Sequence, residues 1–196
     1  TEIPEPLQHG ATNVTLELPA TYLHAAIAAP LAYYLGATVT PGRPPGLRID
    51  GERRVTWADD TQVEAGCARL LYRTLFLDCV VREGAGYDVT VATRENVREA
   101  VDLRFDAVRA ASPAERLSRY LEVPWTTLEE YLPAWTGRAY VLPTRTTITA
   151  LPYLAYDLVQ VYHAKSASDP TEHADVPRRV SERLTTSSAN GDDLLE

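Results

Sequence analysis

The chain has 196 residues, a hydrophobic fraction of 45% and a formal net charge of -8, which fits one domain that buries a core without disulfides or metals. No apolar run approaches the roughly 18 residues of a membrane span, and the acidic N-terminus lacks the features of a secretory signal. The negative charge argues against binding to nucleic-acid phosphates. We therefore expect a cytoplasmic protein with no membrane or nucleic-acid partner.

The basic residues are almost all arginine, since Lys165 is the only lysine among 19 basic residues. An acidic, lysine-poor composition is expected of a protein from a salt-adapted, halophilic cell, where charges are strongly screened. Coding bias in a GC-rich genome predicts the same composition. Both interpretations stay open.

In chain order, the pattern predicts short strands around one apolar helix. Asn13–Leu18 alternates as a strand does, and a helix over 20–35 follows, stopped by Gly36. Asp50 and Gly51 predict a hairpin turn between two further strands. The strands predicted in this part of the chain are 13–18, 37–39, 47–49 and 53–57.

A long helix is the strongest predicted element. It begins after Asp59 or Asp60, either of which can cap it, and ends near Arg82. Its second half, TLFLDCVV from Thr74, is apolar nearly all round, and such short apolar runs also fit a strand. The apolar positions at a spacing of four are Val63, Cys67, Leu71 and Leu75.

The second half of the chain predicts short helices and strands in alternation. Ser112 and Glu115 have the spacing of a capping box. The predicted strands are 87–91, 138–142, 146–148 and 159–163, and the predicted helices are 94–111, 113–121, 124–131 and 151–158.

These elements together predict a helix-rich α+β domain with a small, mainly antiparallel sheet over residues 12–164. Residues 1–11 are expected to be frayed. The polar tail over residues 165–196 is expected to be largely disordered, because its composition is poor in apolar side chains.

The two cysteines lie twelve residues apart on the predicted long helix. That spacing separates Cys67 and Cys79 by about 18 Å along the axis, too far for a disulfide. We expect both to be small core residues in a reducing compartment.

No phosphate, metal or nucleophile motif is recognisable. Gly84-Ala85-Gly86 follows a helix rather than a strand, so it is typical of a helix C-terminus and not of a phosphate loop. No histidine has a second ligand at a metal-binding spacing, and no GxSxG elbow is present. We expect no cofactor and no metal. The histidines are His9, His24, His163 and His173.

Asp78 is the one irregularity, because it is a charge in the most apolar stretch of the chain. A buried carboxylate is costly unless it is paired, and Arg82 at i+4 is the expected partner. We favour this structural ion pair at the edge of the core. The functional alternative is an acid with a perturbed pKa beside the Cys79 thiol. The residues to watch are Asp78, Cys79, Arg82, His24 and His163.

Tyrosines recur on the first predicted helix and near the C-terminal end of the predicted domain. Aromatic side chains at helical spacing fit a core, a partner interface or a ligand pocket, and all three readings stay open. The tyrosines concerned are Tyr22, Tyr33, Tyr34, Tyr153, Tyr156 and Tyr162.

Several segments in this order resemble a region that precedes a caspase-like peptidase domain of the CHAT type in large proteins of halophilic archaea. The resemblance covers roughly Val14–His163. A caspase-like domain needs a His and a Cys at the ends of core strands. No such pair is recognisable here, so no peptidase residue is carried over. The segments that carry the resemblance are PLAYYLGA from Pro30, LFLDCVVREG from Leu75, AERLSRYLEVPW from Ala114, LPAW from Leu132, AYVLPT from Ala139 and LPYLAYDL from Leu151.

The resemblance implies a non-catalytic regulatory or protein-interaction domain, whose partner is another protein or a covalently linked effector domain. The alternative is a small enzyme or ligand-binding domain that uses Asp78, Cys79 and a histidine. That alternative requires these side chains to converge.

Overall fold

The structure, a computed structural model, describes residues 12–82, 94–134 and 137–164. These residues form an α+β fold, as the sequence predicts. The strand predicted at 87–91, the N-terminal segment and the polar tail lie outside the described residues. The helices are α1 (Tyr22–Leu35), α2 (Asp60–Arg82), α3 (Arg94–Ala100), α4 (Phe105–Ala110), α5 (Pro113–Glu122), α6 (Trp125–Glu129) and α7 (Arg145–Tyr156). The strands are β1 (Val14–Leu18), β2 (Thr38–Pro41), β3 (Gly46–Ile49), β4 (Glu52–Thr56), β5 (Arg138–Val141) and β6 (Gln160–His163).

A four-stranded mixed sheet has the order β2-β1-β3-β4. Strand β1 pairs with β2 in parallel and with β3 antiparallel, and β3 pairs antiparallel with β4. The predicted hairpin turn is confirmed: Asp50 and Gly51 both have positive φ, 51° and 80°, as a turn matched to the strand twist requires. A second sheet pairs β5 with β6 in parallel across the α7 crossover.

Helix α1 begins at Tyr22 and not at residue 20, because Thr21 is its cap. The Thr21 hydroxyl accepts the backbone N–H of His24 at 3.2 Å. Gly36 ends the helix in the left-handed conformation at φ 60°, which glycine adopts without strain. The stop predicted at Gly36 is therefore confirmed.

Helix α2 is continuous through the stretch that also fits a strand. At the start of α2, the Asp59 carboxylate accepts the backbone N–H of Gln62 at 2.8 Å. The second half of α2 is apolar nearly all round because it packs against α3, α4, α5 and α6. The residues that it buries there are Phe76, Leu77, Val80 and Val81.

The strand predicted at 146–148 is wrong, since these residues belong to α7. The β-branched run Thr146–Ile148 favours a strand, but α7 packs along α1 and tertiary packing overrides the local propensity. At its first turn the Thr147 hydroxyl donates to the Leu142 carbonyl at 2.6 Å.

Among the described residues, two hydrophobic clusters form the core. The first cluster joins the four-stranded sheet, α1, the first half of α2 and the start of α5. The second cluster joins the second half of α2, helices α3, α4 and α6, and Tyr120 of α5. Helices α2 and α5 therefore run through both. Four apolar residues of α3, α4 and the segment between them are buried in the second cluster: Val97, Val101, Phe105 and Val108.

Candidate functional site

The Asp78 carboxylate lies where α1, α2 and α5 meet, and a phenol donates to each of its oxygens. Tyr34 of α1 donates to Oδ2 at 2.7 Å. Tyr120 of α5 donates to Oδ1 at 2.8 Å. The two hydrogen bonds join the side of the molecule that holds the first cluster to the side that holds the second.

Two guanidinium groups complete the surroundings of Asp78. Arg116 Nη1 lies 3.3 Å from Oδ1, and the Asp78 and Arg116 side chains are only 13% and 17% exposed. The predicted partner, Arg82, is confirmed at 3.5 Å from Oδ2, but its side chain is 62% exposed. Because water screens an exposed ion pair, Arg116 is the stronger partner.

Burial and the Asp78 charge raise the pKa of both phenols. The pKa values of Tyr34 and Tyr120 lie well above their ordinary value, first because the rings are buried and then because the negative charge disfavours a phenolate. Both phenols therefore stay protonated at neutral pH. They act as hydrogen-bond donors and supply no base.

A cavity of about 460 Å³ opens beside this cluster, between α1, α2 and α5. The cavity is lined by Tyr33 and by the Asp78 cluster, which we define as Asp78, Tyr34, Arg82, Arg116 and Tyr120. Thr12 also lines it, and its hydroxyl donates to the Gly36 carbonyl at 2.8 Å. Its volume is in the range of small-molecule sites. One carboxylate and two guanidinium groups are among the groups that line the cavity.

Cys79 is exposed, so the expectation of two core cysteines is right for Cys67 and wrong for Cys79. The error arises because the stretch around Cys79 is apolar nearly all round, and sequence does not show which narrow face stays open. Burial raises the pKa of the Cys67 thiol to about 12. Partial burial and then the neighbouring Asp78 charge raise the pKa of Cys79, which disfavours a reactive thiolate.

Neither described histidine lies at Asp78. His24 is buried, and its ring contacts the Thr21 hydroxyl at 2.7 Å and an Asp60 oxygen at 3.2 Å. Asp60 begins α2 and is 18 residues before Asp78, a distance of about 27 Å along the axis. His163 lies on β6, where its backbone N–H donates to Glu64, about 21 Å before Asp78 on the same helix.

Sequence reasoning missed three of the groups that contact Asp78. Tyr34, Tyr120 and Arg116 are separated from it by 44, 42 and 38 positions. The only signal in the sequence was indirect: a charge in an apolar helix requires donors from elsewhere. That signal does not identify the residues that donate to Asp78.

Comparisons with protein-family models, with curated proteins and with solved structures found no match to this chain. Within residues 12–82, 94–134 and 137–164, no group of three His, Cys, Asp or Glu side chains is placed to hold a metal ion. In the same part of the chain, no helix combines the length and apolar character needed to cross a membrane.

Proposed function

We propose that this chain is a non-catalytic recognition domain that acts through contacts with a protein partner, either a separate chain or an effector domain in the same polypeptide. The observation that carries the proposal is a pair of exposed tyrosines on α7. Tyr153 and Tyr156 are 74% and 75% exposed, the highest values among the large apolar residues described.

The placement of these rings suits an interface. Residues three apart on a helix share a face, so Tyr153 and Tyr156 lie side by side while α7 packs on α1. Tyrosine is enriched at protein interfaces because it supplies a large apolar area and a hydroxyl at little conformational cost. We define this pair as the α7 tyrosine surface.

The state of Asp78 supports a non-catalytic role. Each carboxylate oxygen already accepts a phenol hydrogen bond and faces a guanidinium group. A group held in this way stabilises the junction of three helices and has little capacity to abstract a proton. The alternative, an enzyme that uses Asp78, Cys79 and a histidine, is disfavoured because the helix length separates Asp78 from His24 and His163.

Site-specific photo-crosslinking in cells of the source organism tests the proposal. A photoreactive phenylalanine replaces Tyr153 or Tyr156 in turn, and the matched control places it at the exposed Arg98 of α3. We expect the same protein to be crosslinked from both α7 positions and not from position 98. The purified partner should then bind the wild-type domain at least tenfold more tightly than the Tyr153→Ser, Tyr156→Ser double variant.

Two results would overturn the proposal. One is a crosslinked partner whose affinity is unchanged by the double variant. The other is a substrate turned over by the purified protein at a rate that falls strongly in Asp78→Asn or Cys79→Ser, because that result assigns the chemistry to the alternative.

A further inference from the structure

Two arginines of α2 converge on one tryptophan outside the Asp78 cluster. Arg69 and Arg73, one helical turn apart, place their guanidinium carbons 5.5 and 5.9 Å from the ring centroid of Trp125, the first residue of α6. We define these three residues as the arginine–tryptophan site. Arg69 is exposed, and Arg73 and Trp125 are half-buried.

The positive charge of this site is not balanced by the described residues. Among them, no carboxylate lies within ion-pair distance of Arg69 or Arg73, whereas Arg82, Arg116 and Arg119 are all paired. Arg73 Nη1 donates to the Leu121 carbonyl at 3.4 Å, which satisfies a donor without neutralising the charge. Burial, and then the charge of Arg69, lower the pKa of Arg73. An anion between the two groups would relieve this repulsion.

Two hollows flank the site and share Arg69 and Trp125. One has a volume of about 420 Å³ and is also lined by Tyr72 and Tyr162. The other has a volume of about 340 Å³ and contains Arg73. Both volumes admit a small molecule, and the aromatic walls suit a flat apolar ring.

The charges around the hollows set where the anionic group lies. The larger hollow is also lined by Glu129 and Arg138, whose opposite charges offset each other there. The Arg73 hollow is lined by no acidic side chain among the described residues. A carboxylate or phosphate is therefore best placed between the two guanidinium groups, whose planar forks bind such oxyanions.

We propose that the arginine–tryptophan site binds a small organic anion, whose carboxylate or phosphate lies between Arg69 and Arg73 and whose flat ring lies along Trp125. This inference goes beyond the proposed function, because the site and the α7 tyrosine surface share no residue. Either one can fail without the other.

Titrations with simple probes test the site. The probes are phenyl phosphate, benzoate, inorganic phosphate and the neutral benzyl alcohol, and the readout is the indole N–H signal of Trp125, assigned with a Trp125→Phe variant. We expect phenyl phosphate or benzoate to shift this signal at concentrations at least tenfold lower than benzyl alcohol. Raising the salt concentration should weaken the binding of the charged probes.

Variants show whether the arginines carry the affinity. Arg69→Gln should weaken the binding of the charged probe at least tenfold, and the matched control Arg98→Gln should leave it unchanged. Because Arg69 is exposed and repels Arg73, its replacement should also keep or raise the midpoint of thermal unfolding. Arg73→Gln repeats the test in the half-buried position.

Three outcomes would overturn the inference. The first is equal binding of benzyl alcohol and the charged probes, since the charge would then have no role. The second is inorganic phosphate binding as tightly as phenyl phosphate, since the ring would then add nothing. The third is affinity that survives Arg69→Gln and Arg73→Gln alike.

Discussion

At the scale of single residues, Asp78 shows how a charge becomes tolerable in an apolar helix. Its carboxylate exchanges water for two phenols and two guanidinium groups. A buried pair of this kind adds modest net stability, but removing one partner leaves the other charge uncompensated. The free energy lost when one partner is removed is therefore larger than the free energy gained when the pair forms.

Asp78→Asn should lower the free energy of unfolding by about 3 kcal/mol. Asparagine retains one acceptor for two phenols and leaves Arg116, 17% exposed, without a counter-charge. Urea unfolding measures the change. The control is Asp106→Asn, which breaks the exposed pair with Arg109 and should cost less than about 1 kcal/mol. Equal losses in the two variants would show that the Asp78 cluster does not stabilise the fold.

Tyr120, which is buried, and Tyr34, which is partly buried, predict a loss of stability in alkaline solution. Their pKa values are raised in the folded chain, so the stabilisation is fully present below about pH 10, the ordinary tyrosine pKa. It is lost as the pH rises above that value, by about 1.4 kcal/mol per pH unit for each phenol, because only the unfolded chain ionises.

Urea unfolding at a series of pH values measures this slope. Tyr34→Phe and Tyr120→Phe should each make the alkaline decline shallower, while Tyr153→Phe, which changes an exposed ring, should leave it unchanged. A decline of the same slope in all the variants would contradict the assignment to these phenols.

The separation in sequence between Asp78 and each of its partners decides how much of the site could be predicted. The Arg82 pair is an i, i+4 contact, so helical periodicity was enough to predict it. Tyr34 and Tyr120 reach Asp78 only because α1 and α5 pack beside α2, and no local pattern encodes that packing. The exposure of Cys79, next in the chain, was missed for the same reason.

At the scale of elements, helix ends and turns could be predicted from the sequence, whereas secondary-structure propensity was a less reliable guide. The stop at Gly36 and the turn at Asp50-Gly51 depend on backbone conformations that few residues adopt, and both are confirmed. The β-branched run at Thr146–Ile148 suggested a strand, but it forms part of α7. Propensity is a weak prior that packing overrides.

Gly66→Ala should destabilise the protein although alanine is the better helix former. A Cβ built on Gly66 overlaps the indole nitrogen of the buried Trp57, so α2 packs closely only with glycine there. Overpacking costs up to about 3 kcal/mol and exceeds the gain in helix propensity of about 1 kcal/mol. We expect a net loss of about 2 kcal/mol in urea unfolding.

The neighbouring exposed position provides the control for this prediction. At Ala65 the ordinary preference should hold, so that Ala65→Gly costs about 1 kcal/mol. The preference for alanine over glycine is thus expected to reverse between adjacent positions. A stabilising Gly66→Ala would show that Trp57 moves aside without cost.

At the scale of the whole molecule, two clusters share two helices. The first cluster contains the four-stranded sheet, and the second contains α3, α4 and α6, which have seven, six and five residues. Helices this short are not stable alone and depend on packing. Their link to the sheet runs through α2, α5 and the hydrogen bonds of Asp78 with Tyr34 and Tyr120.

Hydrogen exchange should reveal this dependence. In the wild-type protein the amides of α3 and α4 should exchange at least about tenfold faster than those of β1 and β3, because the weaker cluster opens locally first. Asp78→Asn should accelerate exchange in all four segments, since it lowers the global free energy of unfolding by about 3 kcal/mol, and should keep this order. Asp106→Asn, placed in α4 itself but outside the Asp78 cluster, should change exchange less than about fivefold in both regions, because an exposed ion pair contributes less than about 1 kcal/mol. Peptide-resolved mass spectrometry measures all four segments in one experiment. Equal protection of the sheet and the short helices in the wild-type protein would mean that the two clusters unfold as one unit. The Asp78 cluster would then stabilise the domain globally without joining separable parts.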